Sequence, residues 1–470
     1  MTIVFKLFRG KSGISKFFSE NFLANPQRMI LLSFLIVILL GTGLLMIPSA
    51  TIQPGAPTVI DALFTATSAT CVTGLVVSET IRTYTLFGQI VILCLIQLGG
   101  LGIMTFSTFF MFLFVGKLSI SGRDILIDTF SQNPMVELGK LLKIVFLFTL
   151  FLECSGWLLL SLRFSQDYPL GEAVYYGLFQ SISAFCNAGF NILENGYYTY
   201  ATDLYFNIIN ILLIIAGGLG FIVILDISTQ LKHLRKGFIK RLSLHTKIVL
   251  TTTGLLIAGG AVIFYLLEYN NSLLEANHTE KILMAVFQST TSRTAGFNTV
   301  SIESLTLPTM FILLILMFIG ASPGSCGGGI KTTTFMLFVQ NILKQFSNYK
   351  DINIYSRRVP NVTLSRAIAI VFFAIFTVGL FVFMLILSEI YFGGHGNHEI
   401  NLMDILFEVV SAFGTVGLST GITGTLSPVG KIIITLLMYL GRLGPLTLVF
   451  ALRSKEISSI RYMKEDILVG

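Results

Sequence analysis

A short pattern occurs four times in this sequence, once in each quarter of its 470 residues. It consists of a serine or threonine, a glycine six residues later, and then leucine or phenylalanine. The copies run from Ser68 to Leu75, Ser183 to Phe190, Thr290 to Phe297 and Ser411 to Leu418. A second glycine-rich segment follows each copy, beginning at Gly99, Gly217, Gly320 and Gly441. Two signals in matching positions of every quarter indicate four repeats of one structural unit.

Long apolar runs surround these motifs. Hydrophobic residues make up 54% of the chain and charged residues only 12%, which is more apolar surface than a soluble fold of this length could bury. Runs long enough to cross a bilayer are Met29 to Ile47, Phe87 to Val115, Leu141 to Leu162, Leu204 to Leu225, Ile248 to Leu267, Ala367 to Ile390 and Val429 to Leu452, and one from Leu305 is interrupted. The first exceeds the apolar core of a signal peptide, so it predicts an uncleaved helix.

Between its two long runs, each repeat has a shorter, semi-apolar segment that ends at the motif. About 12 residues of helix cannot span a bilayer, so this segment must enter and leave on the same side. Acidic residues near the expected helix starts (Asp61, Glu280 and Asp404) support it. The predicted fold is therefore an all-α membrane protein with four pseudo-repeated helix, pore-loop and helix units around one central pore. The expected repeats are residues 1–120, 121–235, 236–350 and 351–470.

Basic residues predict the orientation. Of the 31 lysines and arginines, 24 fall in the N-terminus, the C-terminus and alternate connections, which would all lie on one side. This positive-inside pattern predicts a multi-pass protein of the cell membrane with both termini in the cytoplasm. Because the charges are not on one soluble face, no nucleic-acid binding is expected.

The pore loops suit a cation. Irregular backbone at membrane depth is tolerated where it lines a water-filled path, and a ring of carbonyl groups can replace the water shell of a monovalent cation. The C-terminal ends of four short helices, each with about half a negative charge, would also converge there. The five cysteines show no CxxC spacing, so neither a zinc site nor a disulfide framework is predicted.

The third repeat has an unusual second helix. It is interrupted from Gly320 to Gly329 by a run of poor helix formers, and Lys331 follows directly. Such a run should unwind within the membrane. Simple snorkelling, with the ammonium group at the cytoplasmic face, accounts for Lys331 as well as a role within the membrane would. A charge at Arg442 in the middle of a helix needs a partner or water.

Together these residues resemble the Trk/Ktr/HKT superfamily of potassium transporters, over nearly the whole chain. With no helical pair before the first repeat, the chain is most similar to the membrane subunit of the bacterial Ktr type. The resemblance implies a potassium filter formed by the loop carbonyls of Cys71, Val72, Thr73 and Gly74; Cys186, Asn187, Ala188 and Gly189; Arg293, Thr294, Ala295 and Gly296; and Gly414, Thr415, Val416 and Gly417. The side chain of Arg293 is expected to act as an outer scaffold partner.

The resemblance also implies that residues 320–329, hereafter the gate loop, act as an intramembrane gate. The gate residues would be Gly320, Ser322, Gly324, Gly327, Gly328, Gly329, Lys331 and Arg442, the last two holding loop carbonyls. A homodimer in membrane lipid and a separate cytosolic, nucleotide-binding regulatory subunit are the implied partners. Gly74, where sodium uniporters have serine, favours potassium, although a sodium-permeant or sodium-coupled transporter is an open alternative.

An enzyme is the other alternative. Gly320 to Gly324 fits G-x-S-x-G with Ser322 as nucleophile, which would suggest an intramembrane serine hydrolase. Such chemistry needs a base within hydrogen-bond reach, and all five histidines fall in connections or at helix ends. Ion transport needs no covalent step, so no catalysis and no organic cofactor are expected.

Overall fold

The computed structural model describes residues 26–53, 55, 57–102, 138–194, 196–234, 242–346, 352–393 and 401–444. These residues are mainly helical, and one antiparallel hairpin pairs Asn353–Ile354 (β1) with Arg357–Arg358 (β2). The helices are α1 Pro26–Leu45, α2 Val59–Thr70, α3 Thr80–Thr83, α4 Leu86–Gly100, α5 Leu138–Phe164, α6 Leu170–Cys186, α7 Leu204–Leu219, α8 Phe221–Leu234, α9 Leu244–Glu268, α10 His278–Thr291, α11 Leu307–Phe318, α12 Thr332–Gln345, α13 Asn361–Phe392, α14 Leu402–Gly414 and α15 Pro428–Leu443. Short 3₁₀ turns are Pro48–Ala50, Tyr198–Tyr200, Ile302–Ser304 and Ile422–Gly424.

Several helices can cross a membrane. By length and apolar composition, α9, α13 and the Ile144–Phe164 part of α5 qualify singly, and α7 with α8 forms a pair bent by 100°. Side chains on their outer faces are exposed and apolar, among them Phe151, Leu255 and Phe372. A surface of this kind is stable in hydrocarbon rather than in water. The chain is a membrane protein, and the predicted all-α fold is confirmed.

The short helices α2, α10 and α14 have 12 to 14 residues, close to the expected length of about 12, whereas α6 is longer, with 17. Two begin with a capping box, in which the third helical residue is acidic and the cap side chain accepts its backbone N–H. Thr58 with Asp61 caps α2, and Asn277 with Glu280 caps α10. The acids noted in the sequence therefore fix where these helices begin.

The repeats pack in a closed cycle. The second long helix of each repeat contacts the short helix of the next: α4 packs on α6, α7 on α10, α11 on α14, and α15 of the fourth repeat on α2 of the first. The contact between α15 and α2 includes an ion pair, with Lys431 Nζ 2.8 Å from Asp61 Oδ1. The four short helices therefore surround one axis.

Two carboxylates, the buried Glu268 and the half-buried Glu389, hold the corners of two repeats. Glu268 at the end of α9 accepts hydrogen bonds from Thr306 N (2.9 Å) and Thr309 Oγ1 (2.6 Å) at the start of α11. Glu389 near the end of α13 accepts from Ser427 N (3.2 Å) and Ser427 Oγ (2.8 Å) at the start of α15. Each carboxylate satisfies N–H groups that the helix itself leaves unpaired.

The apolar run from Leu204 to Leu225, expected to be one of the long helices, is not one straight helix. The helix ends at Leu219, and the chain turns at Gly220 with φ of 87° before α8 begins. The gate loop occupies the space into which α7 would continue, and Phe221 N donates a hydrogen bond to Gly324 O at 3.1 Å. A Cβ on residue 220 would lie 2.4 Å from Pro323 O. Tertiary contact with the loop therefore breaks this helix. The expected boundaries at residues 120, 235 and 350 lie outside the described residues.

Candidate functional site

The four short helices end in loops with the same unusual backbone. In each loop a non-glycine residue with positive φ stands two residues before the repeated glycine: Val72, Asn187, Thr294 and Thr415, with φ between 49° and 73°. The glycines themselves, Gly74, Gly189, Gly296 and Gly417, have φ between 72° and 92°. Left-handed conformations are unfavourable for side-chain-bearing residues and persist where the surroundings enforce them. These loops are therefore held in one specific shape.

The hydroxyl group of the motif supports the loop in two repeats in the same way. Ser68 Oγ accepts from Gly74 N, and Ser411 Oγ accepts from Gly417 N, both at 3.1 Å. Ser183 Oγ instead donates to Phe190 O at 2.6 Å. In each case a short polar side chain fixes backbone that cannot bond within a helix.

The third copy differs from the sequence pattern by one residue. Thr291 Oγ1, rather than Thr290, accepts a loop N–H, from Phe297 at 2.8 Å. Thr290 Oγ1 donates back to Val286 O within α10. The pattern in the sequence begins at Thr290, but the hydroxyl that supports the loop belongs to Thr291, one residue later.

The four glycines meet in a ring. A Cβ on Gly74 would lie 2.6 Å from Ala188 O, one on Gly189 3.1 Å from Ala295 O, one on Gly296 2.4 Å from Val416 O, and one on Gly417 2.3 Å from Thr73 O. Each glycine thus faces the carbonyl that precedes the next glycine, and the last faces the first loop. At three of these positions any side chain would collide with backbone. The structure brings together all four loops singled out in the sequence.

The predicted filter residues are all buried in these loops. Arg293 differs from the role expected for its side chain, because the side chain is directed toward the gate loop and not toward an outer connection. It is 7% exposed, and Nη2 lies 3.5 Å from Gly320 O at the start of the gate loop. The expectation of an outer scaffold partner is therefore wrong. The Arg293 side chain is directed to the gate loop because Gly320 O there can accept a hydrogen bond from the guanidinium.

A cavity of about 660 Å³ opens on one side of the glycine ring. It is lined by all four ring glycines and by acidic residues of the connecting loops, Glu79, Glu194 and Glu303, against one base, Arg82. Glu79 and Arg82 form an ion pair at 2.7 Å. Concave acidic walls raise the local concentration of cations. We refer to this cavity as the vestibule.

The gate loop lies against the filter residues. A Cβ on Gly327 would lie 2.1 Å from Thr294 Oγ1, and one on Gly328 would lie 2.3 Å from Thr415 Oγ1. The loop therefore touches the third and fourth filter loops at the two residues with left-handed backbone. Glycine is needed at both positions because only a bare backbone fits there.

Charged side chains hold this loop in place. Lys331 Nζ donates to Gly327 O at 2.7 Å. The Arg442 guanidinium in α15 donates to Cys326 O in the loop and to Gly99 O at the end of α4. Charge-assisted hydrogen bonds of this kind are about twice as strong as neutral ones. Both side chains predicted to bind loop carbonyls do so, and at Lys331 this contact replaces the alternative of snorkelling.

The glycine-rich segments of other repeats provide further anchors. Gly217 O accepts from Cys326 N, and Gly218 O accepts from Ser322 N, both at 3.1 Å. The sequence marked these glycines as repeats but gave them no role at the gate loop. Their missing side chains were the only signal for a close backbone contact.

Sequence reasoning also missed a polar cluster behind the second filter loop. Gln97 Nε2 donates to both carboxylate oxygens of Glu153 at 3.0 Å. Cys186 Sγ lies 3.6 Å from Gln97 Oε1 and 3.9 Å from Glu153 Oε1. A carboxylate inside a membrane-spanning helix is costly and marks a functional position. Glu153 within the apolar run from Leu141 was the available signal.

The hydrolase alternative finds no support at Ser322. Its Oγ atom accepts from Thr332 Oγ1 at 3.1 Å, and a threonine hydroxyl is not a general base.

Comparison with known proteins identifies the family. The family model described as TrkH, cation transport protein, matches residues 5–463. The chain belongs to this family. Ktr system potassium uptake protein B of Bacillus subtilis is 37% identical over 95% of this chain and 97% of its own. The protein of that name from Vibrio alginolyticus is 39% identical over 94% of both. Potassium/sodium uptake protein NtpJ of Enterococcus hirae is 34% identical over 95% of this chain and 97% of its own.

A solved structure supports the fold. The potassium transporter TrkH from Vibrio parahaemolyticus superimposes with a TM-score of 0.68, at 18% identity, over 90% of this chain and 84% of that one. The TrkH fold agrees with four repeats around one pore. The predicted resemblance is confirmed, and so is the prediction of a transport protein rather than an enzyme, since the relatives are named as transporters.

Proposed function

We propose that this TrkH-family protein takes up potassium through the ring of four glycine loops, with the gate loop controlling flow. The observation that carries the proposal is the ring itself, in which every glycine faces the carbonyl preceding its neighbour. Carbonyls in four converging loops can replace the water shell of a dehydrated cation. The names of the relatives from Bacillus and Vibrio support potassium as that cation.

The path would run from the vestibule through the ring to the gate loop. Glu79, Glu194 and Glu303 would attract cations to the entrance. The carbonyls of Thr73, Ala188, Ala295 and Val416, with those of the two residues before each, would line the ion sites. Arg442 and Lys331 would then hold the gate loop against Thr294 and Thr415 in the closed state.

The test is cation uptake by the purified protein in vesicles, comparing rubidium and sodium for wild type and Gly74→Ser. The serine Cβ would meet Ala188 O at 2.6 Å with φ of 92°, so the ring must distort. We expect rubidium uptake by the wild type and a lower preference for rubidium over sodium in the variant. Gly254→Ser is the matched control, because a Cβ there has no atom within 4 Å. Equal ion preference in all three proteins would refute the assignment.

Sodium is the second candidate ion, as substrate or as coupled ion, because the Enterococcus relative is named a potassium/sodium uptake protein. Sodium uptake by the wild type equal to its rubidium uptake would favour this alternative.

The word "system" in the names of the Ktr relatives supports the presence of partner subunits, and the family resemblance suggests which ones. We infer a homodimer of this chain in the cell membrane, with both termini in the cytoplasm, and a separate cytosolic nucleotide-binding subunit that acts on the gate loop. Co-purification of a cytosolic subunit, and its release or tightening by nucleotides, tests that inference.

A further inference from the structure

The short helix α14 holds the fourth filter loop at two points. Ser411 Oγ accepts a hydrogen bond from Gly417 N, and three residues earlier Glu408 reaches the segment that follows this glycine. Glu408 Oε2 accepts from Ser419 Oγ at 2.8 Å, and Glu408 Oε1 accepts from Thr423 Oγ1. Residues three apart lie on one face of a helix. The same face of α14 therefore anchors the chain at the ring glycine and again two residues after it.

The side chain of Glu408 is completely buried. Burying a carboxylate is costly unless hydrogen bonds satisfy it. Ser419 Oγ lies 3.0 Å from Thr423 Oγ1 and also accepts from Gly421 N at 3.0 Å. Because a carboxylate only accepts, it directs both hydroxyl hydrogens toward itself and leaves a lone pair of Ser419 Oγ for Gly421 N. One acid thus organises residues 419–424, hereafter the vestibule turn.

The vestibule turn forms part of the wall of the vestibule, through Ser419, Gly421, Thr423 and Gly424. Two other repeats touch it. A Cβ on Gly421 would lie 2.5 Å from Glu303 Oε1 of the third repeat, and one on Gly424 would lie 2.9 Å from the backbone oxygen of residue 77 in the first. A shift of this turn would therefore displace an acidic side chain of the vestibule as well as the fourth filter loop.

The other three repeats have no carboxylate at the equivalent position, three residues before the serine or threonine of the motif. Thr65 in α2 donates to Asp61 O of its own helix, and Gln180 in α6 donates to Tyr197 Oη. Phe287 in α10 is apolar. At these four matched positions, a carboxylate anchor is thus a feature of the fourth repeat.

We propose that Glu408 is a positioning residue that sets the ion preference of the filter through the vestibule turn. The inference rests on the proposed function. The buried carboxylate fixes Ser419, and with it the direction in which the chain leaves Gly417. A Cβ on Gly417 would lie 2.3 Å from Thr73 O, so a small rotation there changes the distance to the neighbouring ring carbonyl. That distance determines how well the ring replaces the water shell of a cation.

The experiment measures rubidium and sodium uptake in vesicles, as a function of ion concentration, for wild type, Glu408→Ala and Ser419→Ala. Loss of one hydrogen bond to the loop should lower the preference for rubidium over sodium, and raise the half-saturating rubidium concentration, by about threefold to tenfold. The maximal rate should change less. Because both substitutions break the same bond, the double variant should add little to either single one. Glu408→Gln keeps an acceptor oxygen and should recover part of the preference.

Glu268→Gln is the matched control. Glu268 is also completely buried and also accepts from threonine hydroxyls, but it lies at the corner between α9 and α11. This substitution should lower the unfolding temperature and leave the ion preference unchanged. Hydrogen exchange of a peptide covering residues 418–424 measures the vestibule turn directly, and we expect faster exchange in both Glu408→Ala and Ser419→Ala.

Two results would overturn the proposal: a wild-type ion preference in both Glu408→Ala and Ser419→Ala, or a fully additive loss of preference in the double variant. If Glu408→Ala does not fold, Glu408→Gln and Ser419→Ala provide the same test. Failure of the proposed function is distinguishable, because wild-type protein would then take up no rubidium. The exchange rate of the vestibule turn would still show whether Glu408 holds it.

Discussion

Lys431 and Asp61 lie 370 residues apart in the chain, yet their side chains form an ion pair at 2.8 Å. Lys431 belongs to the first turn of α15 and Asp61 to the first turn of α2. The pair joins the last repeat to the first and so closes the cycle of repeats. Both side chains are mostly buried, with exposures of 13% and 18%.

Breaking this pair should destabilise the closed cycle. Lys431→Met leaves the Asp61 carboxylate without its cation, and a hydrogen bond to a charged group contributes about 1.5–3 kcal/mol. We expect a lower unfolding temperature in detergent. The exchange of both residues, Asp61→Lys with Lys431→Asp, should recover part of the loss. An unchanged unfolding temperature for Lys431→Met would show that packing alone closes the cycle.

The same pair predicts a pH dependence. Burial raises the pKa of Asp61, but hydrogen bonds from Lys431 and Thr58 together with the charge of Lys431 outweigh it, so the net pKa is lowered. A lowered pKa stabilises the folded state above the ordinary pKa of aspartate, about 3.9, and this contribution is lost as the pH falls through the lowered value. The difference in unfolding temperature between wild type and Lys431→Met should therefore shrink below about pH 4. A constant difference would contradict the assignment.

Removal of the Arg442 side chain should loosen the gate loop. Arg442→Gln removes charge-assisted hydrogen bonds to Cys326 O and Gly99 O. If these contribute about 1.5–3 kcal/mol to the closed state, the open population rises by about tenfold or more. Rubidium uptake without any regulatory subunit measures the change. Arg366→Gln, at an exposed position of α13, is the matched control and should behave as wild type. A lower rate in Arg442→Gln would mean that the arginine supports the open path.

The corner carboxylate Glu268 should matter for folding rather than for ion preference. Glu268→Ala leaves Thr306 N and two threonine hydroxyls without their acceptor, at a cost of about 1–3 kcal/mol for each buried group left unpaired. We expect a lower unfolding temperature with the ratio of rubidium to sodium uptake unchanged. Glu275→Ala, which is exposed nearby, should change neither. A changed ion ratio would place the corner in direct control of the filter.

A methyl group at residue 220 should disturb the gate loop. Gly220→Ala places a Cβ 2.4 Å from Pro323 O at φ of 87°, so both the bend and the loop must shift. We expect loss of thermal stability. Gly259→Ala is the opposite case, since a Cβ there meets nothing within 4 Å and alanine favours a helix by about 1 kcal/mol. Equal effects of the two substitutions would refute the steric account.

The sequence allowed the main features of the fold to be predicted because they depend on local periodicity and spacing. Apolar runs predicted the long helices, and the matched motifs around Gly74 and Gly417 predicted short helices that end in loops. The four ring glycines could be located because the same spacing recurs in every repeat, and their positive φ explains why glycine recurs there. Each of these features is fixed by a few neighbouring positions.

Features that depend on contacts between distant segments could not be predicted. The bend at Gly220 exists because Pro323 and Gly324 lie in its path, and Gly220 resembled the other glycines of its segment. The direction of Arg293 depends on Gly320, which is 27 residues away. The hydroxyl that supports the third loop belongs to Thr291, although only Thr290 lies six residues before the glycine, so the spacing pointed to the neighbouring residue. Such contacts between distant segments leave no periodic pattern in the sequence.

The cyclic arrangement of four repeats within one polypeptide has a consequence for how the pathway can vary. In a ring of identical subunits, one mutation alters all four walls at once. Here the ring carbonyls belong to Thr73, Ala188, Ala295 and Val416, four residues that can change independently. A single loop, from the third repeat alone, can also contact the ring loops of two repeats without three copies competing for the same space. Four repeats on one polypeptide therefore allow an asymmetry that no homotetramer can have.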